Sequence, residues 1–132
     1  MSRIRFTFRI AALSICIAAI ANQTKAQTWD CGDQITNVTA TLSNDTLTIR
    51  ENGAMADYLP NTLPWFANTS QINTIIIENG VTYLGYTAFY NCINATNVNI
   101  PNSVITIGKG AFCNCRNLTT ISIPNLVITI RE

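Results

Sequence analysis

The chain has 132 residues, 11% of them charged, with 8 basic and 7 acidic side chains and no histidine. That length suits one domain, and the lack of histidine excludes Ser-His and Cys-His nucleophile pairs. Setting aside residues 1–26 removes four basic residues and no acid, and the net charge of −3 that remains leaves no Lys/Arg cluster for a nucleic-acid backbone.

Residues 1–26 have the order of a secretory signal. Arg3, Arg5 and Arg9 form a basic start, and Ile10 to Ala21 is an apolar run too short to span a bilayer comfortably. Thr24-Lys25-Ala26 places small residues before a cut ahead of Gln27. The competing readings, an uncleaved anchor or a lipoprotein cut at Cys16, fit the run length and the bulky Ile15 less well. No second apolar run reaches the length of a membrane helix, so no span is expected after the signal.

Residues 27–71 read as an N-terminal capping segment. Val38-x-Ala40-x-Leu42 and Leu47-x-Ile49 alternate on either side of Ser43-Asn44-Asp45-Thr46, which predicts a β-hairpin. Glu51-Asn52-Gly53 is a turn signal. Tyr58, Trp65 and Phe66 then give an aromatic weight read as distinct from the repeats. They either build a ligand pocket on Trp65 or cover the open end of a repeat stack, which end units require.

From Ile72 onward the chain repeats every 23 residues, as 72–94, 95–117 and an incomplete 118–132. Ile75-x-Ile77 aligns with Val98-x-Ile100 and Ile121-x-Ile123. Gly85-x-x-Ala88-Phe89-x-Asn91-Cys92 aligns with Gly108-x-x-Ala111-Phe112-x-Asn114-Cys115. Such a period predicts a leucine-rich-repeat-like solenoid: a β-rich (α+β), right-handed stack of coils with one short strand per repeat. Period-two alternation turns Ile75, Ile77, Val98, Ile100, Ile121 and Ile123 inward. Thr74, Ile76, Glu78, Asn97, Asn99, Thr120 and Ser122 then face outward as a candidate binding face, with Ile76 its exposed apolar member. Pro101 and Pro124 end their strands. Gly85 and Gly108 either hold a positive φ or permit close approach between coils. Ala88-Phe89 and Ala111-Phe112 belong to a short turn or helical piece, and Phe89, Cys92, Phe112 and Cys115 form the structural core.

Cys92 and Cys115 occupy the same repeat position, so they stack in adjacent coils. Parallel Cβ vectors at the ladder spacing of about 4.8 Å favour two buried thiols over a bridge, whose Cβ atoms converge to about 3.8 Å. Cys113-x-Cys115 lacks a zinc spacer, so no metal and no other cofactor is expected. The acids show no paired spacing for glycoside hydrolysis, and no phosphate-binding glycine loop occurs, so the chain reads as non-enzymatic.

The stretch Asn102-Ser103-Val104-x-x-Ile107-Gly108-x-Gly110-Ala111-Phe112-x-x-Cys115-x-x-Leu118-x-x-Ile121-x-Ile123-Pro124 resembles the BspA-like leucine-rich repeat. Cys31-Gly32, Leu47-Thr48-Ile49, Gly53-Ala54-Met55, Asp57-Tyr58 and Pro64-Trp65 resemble that family's usual start. The resemblance implies an exported, secreted or cell-surface protein that binds a host extracellular or other cell-surface protein, or a glycan, without catalysis. Arg131 in place of glycine and Leu126 in place of serine depart from the pattern. The incomplete third copy fits a short or truncated member, with self-association through the last coil. The alternative function is a structural stub with no ligand of its own.

Overall fold

The computed structural model describes residues 25–131. The expected signal segment lies almost wholly outside the described residues. Among the described residues, nine strands form two sheets. β1 (Gln27–Asp30), β2 (Thr39–Ser43), β3 (Thr46–Arg50), β5 (Thr74–Ile77) and β7 (Asn97–Asn99) make the front sheet, in the order β1-β2-β3-β5-β7. β4 (Gly53–Ala54), β6 (Val81–Leu84), β8 (Thr106–Ile107) and β9 (Thr129–Ile130) make the back sheet, in chain order.

The hairpin forms as its alternation predicts. β2 and β3 pair antiparallel from Thr39↔Arg50 to Ser43↔Thr46. Asn44 takes the left-handed turn position at φ 53°, where asparagine is tolerated best among non-glycine residues. β1 was not signalled by the sequence. Trp29 is the one apolar residue in Gln27-Thr28-Trp29-Asp30, so no alternation marks it.

The capping segment is itself a coil of the stack. β3 pairs parallel with β5 from Thr46↔Thr74 to Ile49↔Ile77, and β4 pairs parallel with β6. Met55 N donates to Tyr83 O at 3.1 Å and Tyr58 N to Tyr86 O at 3.0 Å. This first coil runs 28 residues to its successor, as from Asp45 to Asn73, where later coils run 23. The extra residues lie in the Leu59–Pro64 connection and hide the coil from a fixed-period comparison. A parallel ladder between the two lets cap and repeats share one core.

The first two repeats each supply two strands, not the single one expected. The return arm Val81–Leu84, and at the next level Thr106–Ile107, also ladder. Two-residue strands carry no alternation to read. The Ala88-Phe89 and Ala111-Phe112 segments are turns, and no α-helix occurs among the described residues; a short 3-10 helix spans Phe66–Gln71.

The third front strand does not form. Ile121–Ile123 is not in a sheet, and β7 is the edge. Thr96 N donates to Asn73 O, but no backbone bond ties 119–123 to 96–100 among the described residues. Ile123 is accordingly exposed rather than inward, and Ile121 only half-buried.

One continuous core runs from Val38, Leu47 and Ile49 through Ile75, Ile77, Val81 and Leu84 to Val104 and Ile107. Rings stack along its axis. Trp65 lies 6.5 Å from Phe89 with planes 26° apart, and Phe89 lies 5.1 Å from Phe112 at 18°. Trp29 and Tyr58 each sit 6.0 Å from Trp65 and close the N-terminal end. Trp65 is fully buried, so it offers no ring face to a ligand and acts as the cap.

Candidate functional site

The front sheet brings five of the seven expected face residues together. Thr74, Ile76 and Glu78 come from β5 and the residue after it, Asn97 and Asn99 from β7, with Thr74↔Asn97 and Ile76↔Asn99 in register. Asn97, Asn99 and Glu78 are exposed. Ile76 is half-buried rather than exposed, because Thr48 on one side and Asn99 on the other flank it. Thr120 and Ser122 are exposed but lie off the sheet, on the segment that forms no strand.

The face extends further than the repeats. Because β3 continues the sheet, one row runs Thr28–Thr41–Thr48–Ile76–Asn99 and a second runs Ser43–Thr46–Thr74–Asn97. The buried partners Ala40, Leu42, Leu47 and Ile49 alternate with these side chains, which fixes the threonines outward. The signal for the extra residues was present in Thr39-Ala40-Thr41 and Thr46-Leu47-Thr48. It needed only the knowledge that the hairpin belongs to the same sheet. Thr28 and Thr41 hydroxyls lie 3.0 Å apart. At the rim, Arg50 and Glu78 pair at 3.4 Å with both side chains near half exposure, a surface pair worth about 0–1 kcal/mol. The face spans about 19 Å across five strands at about 4.8 Å each.

The opposite side carries a second polar cluster. Asp57 Oδ1 accepts from the Tyr83 hydroxyl at 2.6 Å and from Tyr86 N at 2.8 Å. Partial burial, and then the Asp57 carboxylate, push the Tyr83 phenol up to about 12. This cluster joins the first coil to the second and brings no second acid or base to the site. Among the described residues, no group of His, Cys, Asp and Glu is arranged to hold a metal ion.

The core cysteines are thiols. Cys31, Cys92 and Cys115 are buried and Cys113 is exposed, all free. The neighbouring Cys115 thiol, together with burial, pushes the Cys92 thiol up. Cys115 Sγ in turn lies 3.2 Å from the Phe89 carbonyl oxygen and donates to it. The two sulfurs thus close the space beside the Phe89–Phe112 stack. Asn91 and Asn114 turn the corner outside them at φ 65° and 63°, and the Asn114 amide donates to the Asn91 carbonyl oxygen.

With this geometry in hand, comparison with known proteins is direct. Residues 64–132 match the BspA type leucine rich repeat region (6 copies). The chain belongs to this family. A leucine-rich repeat protein from Eubacterium ventriosum ATCC 27560 is 28% identical and superposes with a TM-score of 0.72 over 81% of this chain. This chain spans 28% of that protein's length. The T. pallidum leucine rich repeat protein is 16% identical with a TM-score of 0.49, covering 67% of this chain and 47% of its own. A comparison with curated proteins finds no match. This BspA-type chain is therefore a repeat protein with the architecture of a protein-binding module. No helix among its described residues is long and apolar enough to cross a membrane.

Proposed function

We propose that this BspA-type chain is an exported, non-catalytic module, secreted or held at the cell surface, whose front sheet binds a protein or glycan surface weakly and multivalently. The observation that supports it is the uninterrupted five-strand face. Its outward threonines and asparagines carry no core duty, while the alternate residues beneath them are buried on β2, β3 and β5 and partly buried on β1 and β7. A face this small falls below the roughly 800 Å² per partner of an ordinary specific interface, so strength must come from many copies. The basic, apolar and small-residue order of residues 1–26 supports export.

The test displays the protein on beads and measures adhesion to extracellular-matrix proteins and to other cells. Wild type is compared with Thr48→Lys plus Asn99→Lys, which place two charges in the central row and leave the core untouched. Loss of adhesion with an unchanged circular dichroism spectrum is the expected result. Equal adhesion by both proteins would place the ligand away from the front sheet, and adhesion by neither would replace this reading with that of a structural stub.

A further inference from the structure

Two corners carry an exposed asparagine directly before a glycine: Asn52-Gly53 and Asn79-Gly80. Asn79 and Gly80 are the middle residues of the turn that joins β5 to β6. Val81 N donates to Glu78 O at 3.4 Å, and Gly80 takes φ 115°, the positive value that such a turn asks of glycine at its third position. Asparagine is one of the chemically labile residues. A following glycine has no side chain to shield its amide nitrogen, so that nitrogen can reach the asparagine Cγ and close a five-membered ring.

What holds the ring-closing nitrogen differs between the two corners. Gly53 N donates to the main-chain oxygen of Gly80 at 3.0 Å, a bond between coils that no side chain supplies. Gly80 N instead donates to one side chain of the next coil, the Ser103 hydroxyl, at 3.1 Å. That hydroxyl donates in turn to Val81 O at 2.8 Å, so Ser103 pins the main chain at both Gly80 and Val81. For ring closure the Gly80 amide must give up its proton and turn its nitrogen toward Asn79 Cγ. A hydrogen bond donated to a neighbouring coil opposes that turn. At the next corner Asn102 is followed by Ser103 itself, whose side chain crowds the same approach.

We propose that Asn79 is a site of spontaneous deamidation whose rate is set by the Ser103 hydroxyl of the next coil. The Gly80 nitrogen bonds to Asn79 Cγ, the Cγ–Nδ2 bond breaks, and ammonia leaves with the amide proton. Water then opens the ring at either carbonyl and leaves aspartate or isoaspartate at position 79. Either product sets a second negative charge beside Glu78, which pairs with Arg50 at 3.4 Å on the rim of the front sheet. Isoaspartate also adds a methylene to the main chain of the corner. Wild type, Ser103→Ala and Ser103→Thr are incubated in mildly alkaline buffer, and peptide mass spectrometry follows conversion at Asn79. Ser103→Ala should speed it about fivefold, the factor for one ordinary hydrogen bond. Ser103→Thr keeps the hydroxyl and should match wild type. In denaturant the three proteins should react at one rate. The proposal is overturned if Ser103→Ala does not speed native conversion, if Ser103→Thr speeds it equally, or if the three still differ when unfolded. Amide exchange separates local release from general loosening. Gly80 should lose protection in Ser103→Ala while Phe89, in the core, keeps it, and equal loss at both would also overturn the assignment.

Discussion

Phe89 and Phe112 stack with ring centroids 5.1 Å apart and planes 18° from parallel, although a whole coil of chain separates them. The two rings differ in surroundings. Phe89 is fully buried between Trp65 and Phe112, while Phe112 is half-buried and lines an open cavity of about 280 Å³ with Ile107, Leu118 and Ile121. Phe89→Ala should therefore cost about 3–5 kcal/mol, the range for a buried phenylalanine. Phe112→Ala should cost clearly less, because one face of its ring has no neighbour to lose. Urea denaturation of both variants measures the difference. Equal losses would contradict the buried-versus-open distinction between the two ends of the ladder.

Two glycines separate close approach from backbone freedom. A Cβ on Gly85 would run into the Ala56 carbonyl of the coil below, and Gly85 does not hold a positive φ. Gly110 has φ 63° and open space, with nothing nearer than Cys113 Cβ at 3.6 Å. Gly85→Ala should force the first two coils apart and cost upwards of about 2 kcal/mol, beyond the usual overpacking range's lower end. Gly110→Ala should cost about 1 kcal/mol, the left-handed penalty alone. Thermal melts of both variants check the order, and a reversed order would show that φ, not packing, governs both sites.

The thiols give a pH-dependent outcome. Burial, reinforced by Asp30, pushes Cys31 up to about 12. A thiol near 8.5 when unfolded and near 12 when folded keeps its proton longer in the native state. Its contribution to stability is full below about pH 8.5 and is lost as pH rises from there toward 12. Stability should fall over that window, and Cys31→Ser should flatten the fall. In native protein at pH 8, iodoacetamide should label exposed Cys113 and spare Cys31, Cys92 and Cys115 until denaturant is added. Rapid labelling of Cys92 in the native protein, or a Cys92–Cys115 bridge in mass spectra of freshly made protein, would be inconsistent with this core.

The repeat columns carried most of the fold. Ile75, Ile77, Val81, Leu84, Val104 and Ile107 are buried where their alignment puts them. What stayed hidden had physical reasons. The first coil escaped because the Leu59–Pro64 excursion breaks the period while leaving the parallel ladder intact. The back sheet escaped because pairing, not pattern, makes Thr106–Ile107 a strand. Ile121-x-Ile123 has the strand pattern and forms none, since a strand needs partners that sequence alternation does not supply. The candidate face was legible in Thr74, Asn97 and Asn99 but understated. Whether Thr41 and Thr48 share it depends on a long-range pairing, Thr48↔Ile76.

That missing strand yields the last prediction. β7 presents Asn97–Asn99 as an open edge, and the segment that should cover it instead borders the cavity. Its inward residues have nothing to pack on from the far side, so pairing with β7 would fix 119–123 without burying Ile121 and Ile123. Backbone ordering costs about 1–2 kcal/mol per residue, and a ladder with an empty core behind it does not offset that. Appending one coil with the pattern of residues 108–115, followed by a polar cap, fills the cavity and should tip the balance. Ile121–Ile123 should then pair parallel on Asn97–Asn99, visible as slowed amide exchange at residues 119–123. The melting temperature should rise by several degrees, at roughly 4–8 °C per kcal/mol for a chain of this size. Sedimentation should show the unextended chain associating at high concentration through its open edge and the extended chain monomeric. If the unextended chain is already monomeric and melts cooperatively above about 65 °C, the open end is not a weakness of the fold.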